Sequence, residues 1–263
     1  MGQPDIGRAV TNQQGARGTG SGEPPAGPSV VGQVLAGAGQ VPAGAGQAAA
    51  GAGQAPADAG EAPAGRRLPP GQQVRPDWLV QHYGPVPRFR PETWDFRVTG
   101  VTESGAEHCW DWAGICALPR RAVTADLHCV TKCTIPDIPW EGIAATELLR
   151  LAPPAGPVTH VMVWADYGYS ANVRIADFAA DTTLLATAVA GEPLLPEHGF
   201  PMRLVVPHLY GWKSVKWVRA VEYLTEDRRG FWEERGYHSS ADPWHEERFS
   251  YQETSKACAP RRP

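Results

Sequence analysis

Thiols and clustered cations are the side chains in this chain best placed to do chemistry. Cys129 and Cys133 stand in the polar stretch Asp126-Leu-His-Cys-Val-Thr-Lys-Cys-Thr134, between a Pro-Arg-Arg loop and a Pro-rich turn. A thiol there can be a metal ligand, a nucleophile or a small buried apolar group. Cys109 and Cys116 would complete a set of four sulfurs, but the intervening gaps are six, twelve and three residues. Structural zinc sites favour cysteines roughly two to four residues apart, and only Cys129/Cys133 approaches that spacing. Simple packing is the expectation for Cys109, Cys116 and Cys258, and for Cys133 as a neighbour of the functional thiol.

The second group lies in His198-Gly-Phe-Pro-Met-Arg-Leu-Val-Val-Pro207 and Tyr210-Gly-Trp-Lys-Ser-Val-Lys-Trp217. Arg203, Lys213, Ser214 and Lys216 would bring a guanidinium fork, two point charges and a hydroxyl to a Gly-containing turn. Such a set can cradle a phosphate. A solvated hairpin is the other reading of the same residues.

The elements that must position these groups are mostly strands. Trp94-Asp-Phe-Arg-Val-Thr-Gly100 alternates apolar and polar residues, and Trp110-Asp-Trp112 can continue its sheet. Val123–Val130 reads as the strand that carries Cys129 inward. Val158–Trp164, Leu184–Leu195 (two strands about Gly191-Glu192), Met202–Pro207 and Val215–Leu224 are further strands. Pro139–Leu151 is expected to be the clearest helix, with Ile143, Ala144, Leu148 and Leu151 on one face and Pro153-Pro154 as its stop. Ala176–Ala180 should add a short helical stretch. Leu79–Pro87 must be extended, since Pro85 and Pro87 forbid helix, and it suits the wall of a pocket. The spacing is too irregular for βαβ repeats, so the expected class is α+β, mixed and mainly β.

Composition divides the chain. Residues 1–65 contain no aromatic residue and six charges, whereas all ten tryptophans lie from Trp78 onward. The unit Val34-Leu-Ala-Gly-Ala-Gly-Gln40 recurs at seven-residue spacing without apolar seam positions, which fits a linker rather than a coiled coil. A disordered arm over 1–69, one domain over 70–250 and a flexible tail over 251–263 are expected. A net charge of −4 gives no support for a nucleic-acid partner. Five cysteines do not suggest a disulfide framework. No apolar run approaches the roughly 20 residues of a spanning helix, and the N-terminus shows no leader, so no membrane and a cytoplasmic location are expected.

Several ordered motifs together resemble the molybdenum-cofactor domain of sulfite oxidases and their short prokaryotic relatives. They are Gly84-Pro-Val-Pro87, Leu127-His-Cys-Val130, Tyr169-Ser-Ala-Asn172, His198–Pro207, Lys213-Ser-Val-Lys-Trp217, Gly236-Tyr-His238 and Asp242-Pro-Trp-His-Glu-Glu-Arg248. The resemblance implies that fold and a Mo-molybdopterin cofactor. It makes Cys129 the metal-ligating thiolate and Tyr169 the active-site tyrosine. His82, Tyr83, His198, Arg203, Lys213, Ser214, Val215 and Lys216 become cofactor-binding residues. Soft sulfur suits such a metal, and the cofactor carries the redox chemistry while the protein orients it.

The implied reaction is oxygen-atom transfer on a small sulfur-oxy substrate such as sulfite, with reduction of an S-oxide of the methionine sulfoxide type as the alternative. A non-catalytic metal-binding module is the rival outside that class. Gln81 stands where sulfite oxidases carry an arginine, Cys133 where many short relatives carry tryptophan, and Arg174 where proline is common. Arg174 or Lys132 is therefore the expected source of positive charge for an anionic substrate, with Arg174 counted among the catalytic residues. An external electron acceptor or donor, no haem and a monomer are further expectations.

Overall fold

Phe96 and Val98 are buried while Arg97 and Thr99 are partly exposed, the alternation of a strand with one face on a core. This is β2 (Asp95–Gly100) in a computed structural model that describes residues 66–78 and 80–253. The repeats of the expected arm and Cys258 lie outside those residues. Within them the strands are β1 (Gln73–Val74), β2, β3 (His108–Asp111), β4 (Arg121–His128), β5 (Cys133–Ala144), β6 (His160–Ala165), β7 (Ser170–Arg174), β8 (Leu184–Val189), β9 (Glu192–Pro193), β10 (Arg203–Val205) and β11 (Val218–Leu224). The short helices are α1 (Trp112–Cys116), α2 (Ala145–Leu151) and α3 (Ile175–Phe178). The mixed, mainly β α+β class follows from this inventory.

One sheet has the order β3-β2-β11-β6-β7, with β11 parallel to β2 and antiparallel to β6. Its inner face buries Phe96, Val98, Val161, Val163, Val221 and Tyr223. The other sheet runs β1-β5-β8-β10, with β4 on the second edge of β5 and β9 on β8. Leu127, Ile135, Trp140, Leu184 and Val205 form the apolar cluster of that sheet, directly beneath the turn that follows β4.

Several expectations about local structure need correction. The helix expected from Pro139 begins only at Ala145, because 139–144 belong to the long strand β5. Ile138 and Trp140 point inward while Pro139 and Glu141 do not, a period of two that the helical spacing of Ile143, Leu148 and Leu151 concealed. Pairing with β8 decides the matter: a side chain at Gly142 would place Cβ 2.0 Å from the Leu185 carbonyl. The Pro-rich turn expected after Cys133 is also part of β5. Pro136 and Pro139 fall between the β1-paired and β8-paired ends, where one edge carries no ladder and a missing N–H costs little.

The strand expected from Val215 starts instead at Val218. A 3-10 turn over Gly211–Lys213 and an irregular link with Trp217 at φ 56° precede it. Residues 251–253, placed in a flexible tail by composition, are tied to the domain: the Gln252 side-chain oxygen accepts from the Arg248 and Phe249 amides at 2.8 Å.

Candidate active site

Cys129 follows β4 directly, and the ladder fixes where its sulfur goes. Leu127 pairs with Ile135 and His128 with Thr134, so the next pair outward is Cys129 opposite Cys133. The Cys129 amide donates to the Cys133 carbonyl at 2.7 Å and the Lys132 amide to the Cys129 carbonyl at 3.1 Å. Lys132, at φ 68°, supplies the left-handed residue that a three-residue hairpin loop needs. Gln72 beside β1 donates to the Cys129 carbonyl at 3.1 Å, and Arg248 donates to the Val130 carbonyl at 2.5 Å. The tip of the hairpin is thus fixed from two sides.

Cys129 opens into a cavity of about 330 Å³ lined also by Gln81, His82, Tyr83, Tyr169, Arg203, Ser214, Val215 and Lys216. The Thr131 hydroxyl donates to the Cys129 sulfur at 3.0 Å, and the Cys129 thiol reaches Gln81 Oε1 at 3.2 Å. A hydrogen bond from Cys133, reinforced by Thr131 and by the charge of Arg248, brings the Cys129 thiol down to about 6 against the cost of burial. The Cys133 thiol is pushed up by the same bond and by burial. In cofactor-free protein, Cys129 should therefore alkylate with a rate that rises through pH about 6 and levels above it. Cys109 and Cys116, raised by local desolvation, should respond only in more alkaline solution. Iodoacetamide labelling across pH with peptide mapping reads each thiol separately; equal profiles for Cys129 and Cys109 would exclude an activated thiol.

On one side of the cavity sit three basic groups that press on one another. Arg203 is 2 % exposed, donates to the His198 and Ser214 carbonyls at 2.9 and 3.0 Å, and lies over the Trp78 and Trp140 rings. Its Nε finds no acceptor among the described residues. Lys216 donates to the Gln81 and Glu197 carbonyls at 2.9 and 2.6 Å. His198 stacks on Trp78 with ring centroids 3.9 Å apart. Burial, then repulsion by Arg203, draws Lys216 down to about 7. Burial, Lys216 and Arg203 lower His198 likewise, and burial takes Arg203 to about 10. At Gly199, φ 115°, a side chain would press on Arg203 Cβ at 3.0 Å and on the Lys216 stem at 3.3 Å.

The opposite wall is aromatic. Tyr83 packs on Phe231 at 4.4 Å, Phe231 on Trp232 at 5.2 Å, Trp232 on Tyr237 at 5.3 Å and Tyr237 on Trp212 at 5.0 Å. Tyr169 donates its hydroxyl to the Trp212 carbonyl at 2.7 Å, and burial holds its phenol well above the usual range, so it stays protonated.

Not every residue expected at the site reaches it. Lys213 turns away from the cavity into a fully buried ion pair with Glu233 at 2.5 Å, and also donates to Asn172. It anchors the turn instead of facing an anion. Arg174 ends β7 outside the cavity lining, with its guanidinium on Asp177 at 2.6 Å and His208 on the same carboxylate. Lys132 is an exposed loop residue. Ser214 lines the cavity, although its hydroxyl accepts from the Val206 amide at 3.0 Å. His82 lines it with Nδ1 2.9 Å from the Gly84 carbonyl. The sequence assigned no role to Gln72, Thr131, Trp212, Trp232, Tyr237 or Arg248, although Thr131, Trp212, Tyr237 and Arg248 stand inside the motifs singled out above.

The family model for the oxidoreductase molybdopterin binding domain matches residues 83–232. The chain belongs to that family. This molybdopterin oxidoreductase is 40% identical over 186 residues to the uncharacterized oxidoreductase YuiH of Bacillus subtilis, covering 70% of this chain and 93% of that one. It is 25% identical over 177 residues to the protein-methionine-sulfoxide reductase catalytic subunit MsrP of Campylobacter jejuni, 59% of each chain. It is 25% identical over 220 residues to mitochondrial sulfite oxidase of Drosophila melanogaster, 70% of this chain and 38% of that. The sulfane dehydrogenase SoxCD of Paracoccus pantotrophus shares the fold, with TM-score 0.51 and 20% identity over 56% of this chain and 42% of that one. The protein is thus an enzyme of the sulfite oxidase family that uses Mo-molybdopterin.

The residues present fit that cofactor. The buried Arg203 Nε is a donor in want of an acceptor, and an anion among His198, Arg203 and Lys216 would relieve their mutual repulsion. Cys129 offers a soft sulfur already biased toward thiolate. Cys129 would hold the metal, and Arg203, Lys216, His198 and the turn amides around Ser214 and Val215 the phosphate end. Bound there, the group supplies two-electron oxygen-atom transfer, which no side chain here can perform. Tyr169 keeps its proton on the phenol oxygen at the cavity wall.

Proposed function

We propose that the enzyme reduces a small neutral S-oxide at a Cys129-ligated molybdenum, with electrons delivered by a separate carrier. The aromatic wall carries this reading. Aromatic rings pack against the apolar substituents of an S-oxide and against its thioether product, and Tyr83, Trp232, Tyr237 and Trp212 offer four of them beside Cys129. Among the described residues that line the cavity, the cations are Arg203 and Lys216, and both already donate to backbone carbonyls on the side assigned to the cofactor. An anion such as sulfite meets the neutral side-chain amide of Gln81 beside the Cys129 sulfur. The MsrP relative, named as a methionine-sulfoxide reductase, supports the same choice.

Holoenzyme made in a molybdopterin-competent host tests this with two assays: a reduced viologen dye plus methionine sulfoxide or dimethyl sulfoxide, and ferricyanide plus sulfite. The sulfoxide kcat/KM is expected to exceed the sulfite value. Trp232→Ala should raise the sulfoxide KM by several-fold to about tenfold, in keeping with the ~0.3–1.5 kcal/mol of a sulfur–aromatic contact. Arg174→Ala should leave the KM for either substrate unchanged. Sulfite turnover that exceeds sulfoxide turnover would overturn the choice of substrate.

A further inference from the structure

We propose that Cys129 and Cys133 form a reversible disulfide in the cofactor-free chain, and that this bond bars molybdenum loading until it is reduced. The β4–β5 ladder carries the argument. With His128 opposite Thr134, Cys129 and Cys133 are directly opposed and close the three-residue loop through the 2.7 Å bond from the Cys129 amide to the Cys133 carbonyl. Directly opposed strand residues hold their Cα atoms about 4.5–5.5 Å apart. A disulfide needs roughly 4.4–6.8 Å, so no backbone movement is required. The sulfurs are close as well: the Thr131 hydroxyl lies 3.0 Å from one and 3.6 Å from the other.

Access is asymmetric. Cys129 is half-buried at the cavity wall, whereas Cys133 is 6 % exposed and lines the same cavity. A low-molecular-weight disulfide entering the cavity meets Cys129 first. The Cys129 sulfur attacks it, one small thiol leaves, and a mixed disulfide remains on Cys129. The Cys133 sulfur then attacks the Cys129 sulfur and displaces the second small thiol. Two protein thiols are oxidised, one small disulfide is reduced by the same two electrons, and both protons leave on the released thiols. Cys109 and Cys116 belong to β3 and α1 of the other sheet region and serve as internal controls.

The consequence for loading rests on the reading of Cys129 as the metal ligand; formation of the bond does not. A sulfur held in a disulfide has no thiolate to give the metal. Bound cofactor should conversely protect both thiols.

The test uses the full cofactor-free chain with hydroxyethyl disulfide, read by intact mass and peptide mapping. The expected product has lost two hydrogens and links the peptides of Cys129 and Cys133, while Cys133→Ala stops at a mixed adduct on Cys129. Oxidised and reduced chains are then supplied with Mo-molybdopterin. Molybdenum uptake by the oxidised chain should be at least about tenfold lower, the scale on which disturbed metal sites lose affinity, and should recover with dithiothreitol. Free thiols after treatment, or a link to Cys109 or Cys116, would overturn the proposal. So would a Cys129–Cys133 bond that leaves loading unchanged. Normal loading of Cys129→Ser in the same experiment would place that failure in the ligand assignment and not in the disulfide.

Discussion

Cys129→Ser is expected to abolish molybdenum retention and turnover together while the fold persists. Loss of an outer-shell partner of a metal ligand alone costs about 10–100-fold in affinity or activity, and the protein's own sulfur ligand must weigh more. A serine hydroxyl is hard, holds its proton at neutral pH and cannot take over the role of a soft thiolate. The backbone around position 129 does not depend on the sulfur. Its amide is bonded to Cys133 and its carbonyl to Gln72 and the Lys132 amide, so the hairpin should form unchanged. Elemental analysis beside a thermal melt checks both halves. One molybdenum per chain in the variant, with a tenth or more of the activity, would remove Cys129 from the centre.

Glu233→Gln and Lys213→Met should each destabilise the domain by ~3–5 kcal/mol, the cost of leaving a buried charge without its partner. Both side chains are wholly inaccessible to solvent, and their oxygen and nitrogen lie 2.5 Å apart. Glu233 also accepts from the Trp212 indole at 2.9 Å, and Lys213 donates to the Asn172 carbonyl and side chain at 2.7 and 2.6 Å. A domain of this size gains or loses about 2–4 °C in Tm per kcal/mol, so a fall of roughly 10 °C is expected. The double variant Lys213→Met/Glu233→Met should lose clearly less than the sum of the single changes, since no isolated charge remains. Additive losses in a double-mutant cycle of urea unfolding would show that the pair does not act as a unit. Because the Trp212 carbonyl receives the Tyr169 hydroxyl, the single variants should also loosen the wall of the cavity.

Arg174 and Lys213 show what a sequence conceals about charge. Each reads as a free cation near the expected site, yet each meets a carboxylate. For Arg174 the partner is Asp177, three residues on, within reach of a local reading. For Lys213 it is Glu233, supplied by a separate loop twenty residues later. The strand-to-helix error in 139–144 has a related cause. Ile143, Leu148 and Leu151 satisfy helical spacing, and only the close approach of β8 to Gly142 shows that the first part of the segment must be extended.

The sequence by itself determined the family and the cofactor class, because ordered motifs are local properties of the chain. Tertiary structure alone decided the rest. It converted Lys213 from a candidate ligand into a buried anchor and gathered Trp212, Trp232 and Tyr237 into one wall. Those relations depend on which distant segments pack together, and no spacing within a single segment encodes them.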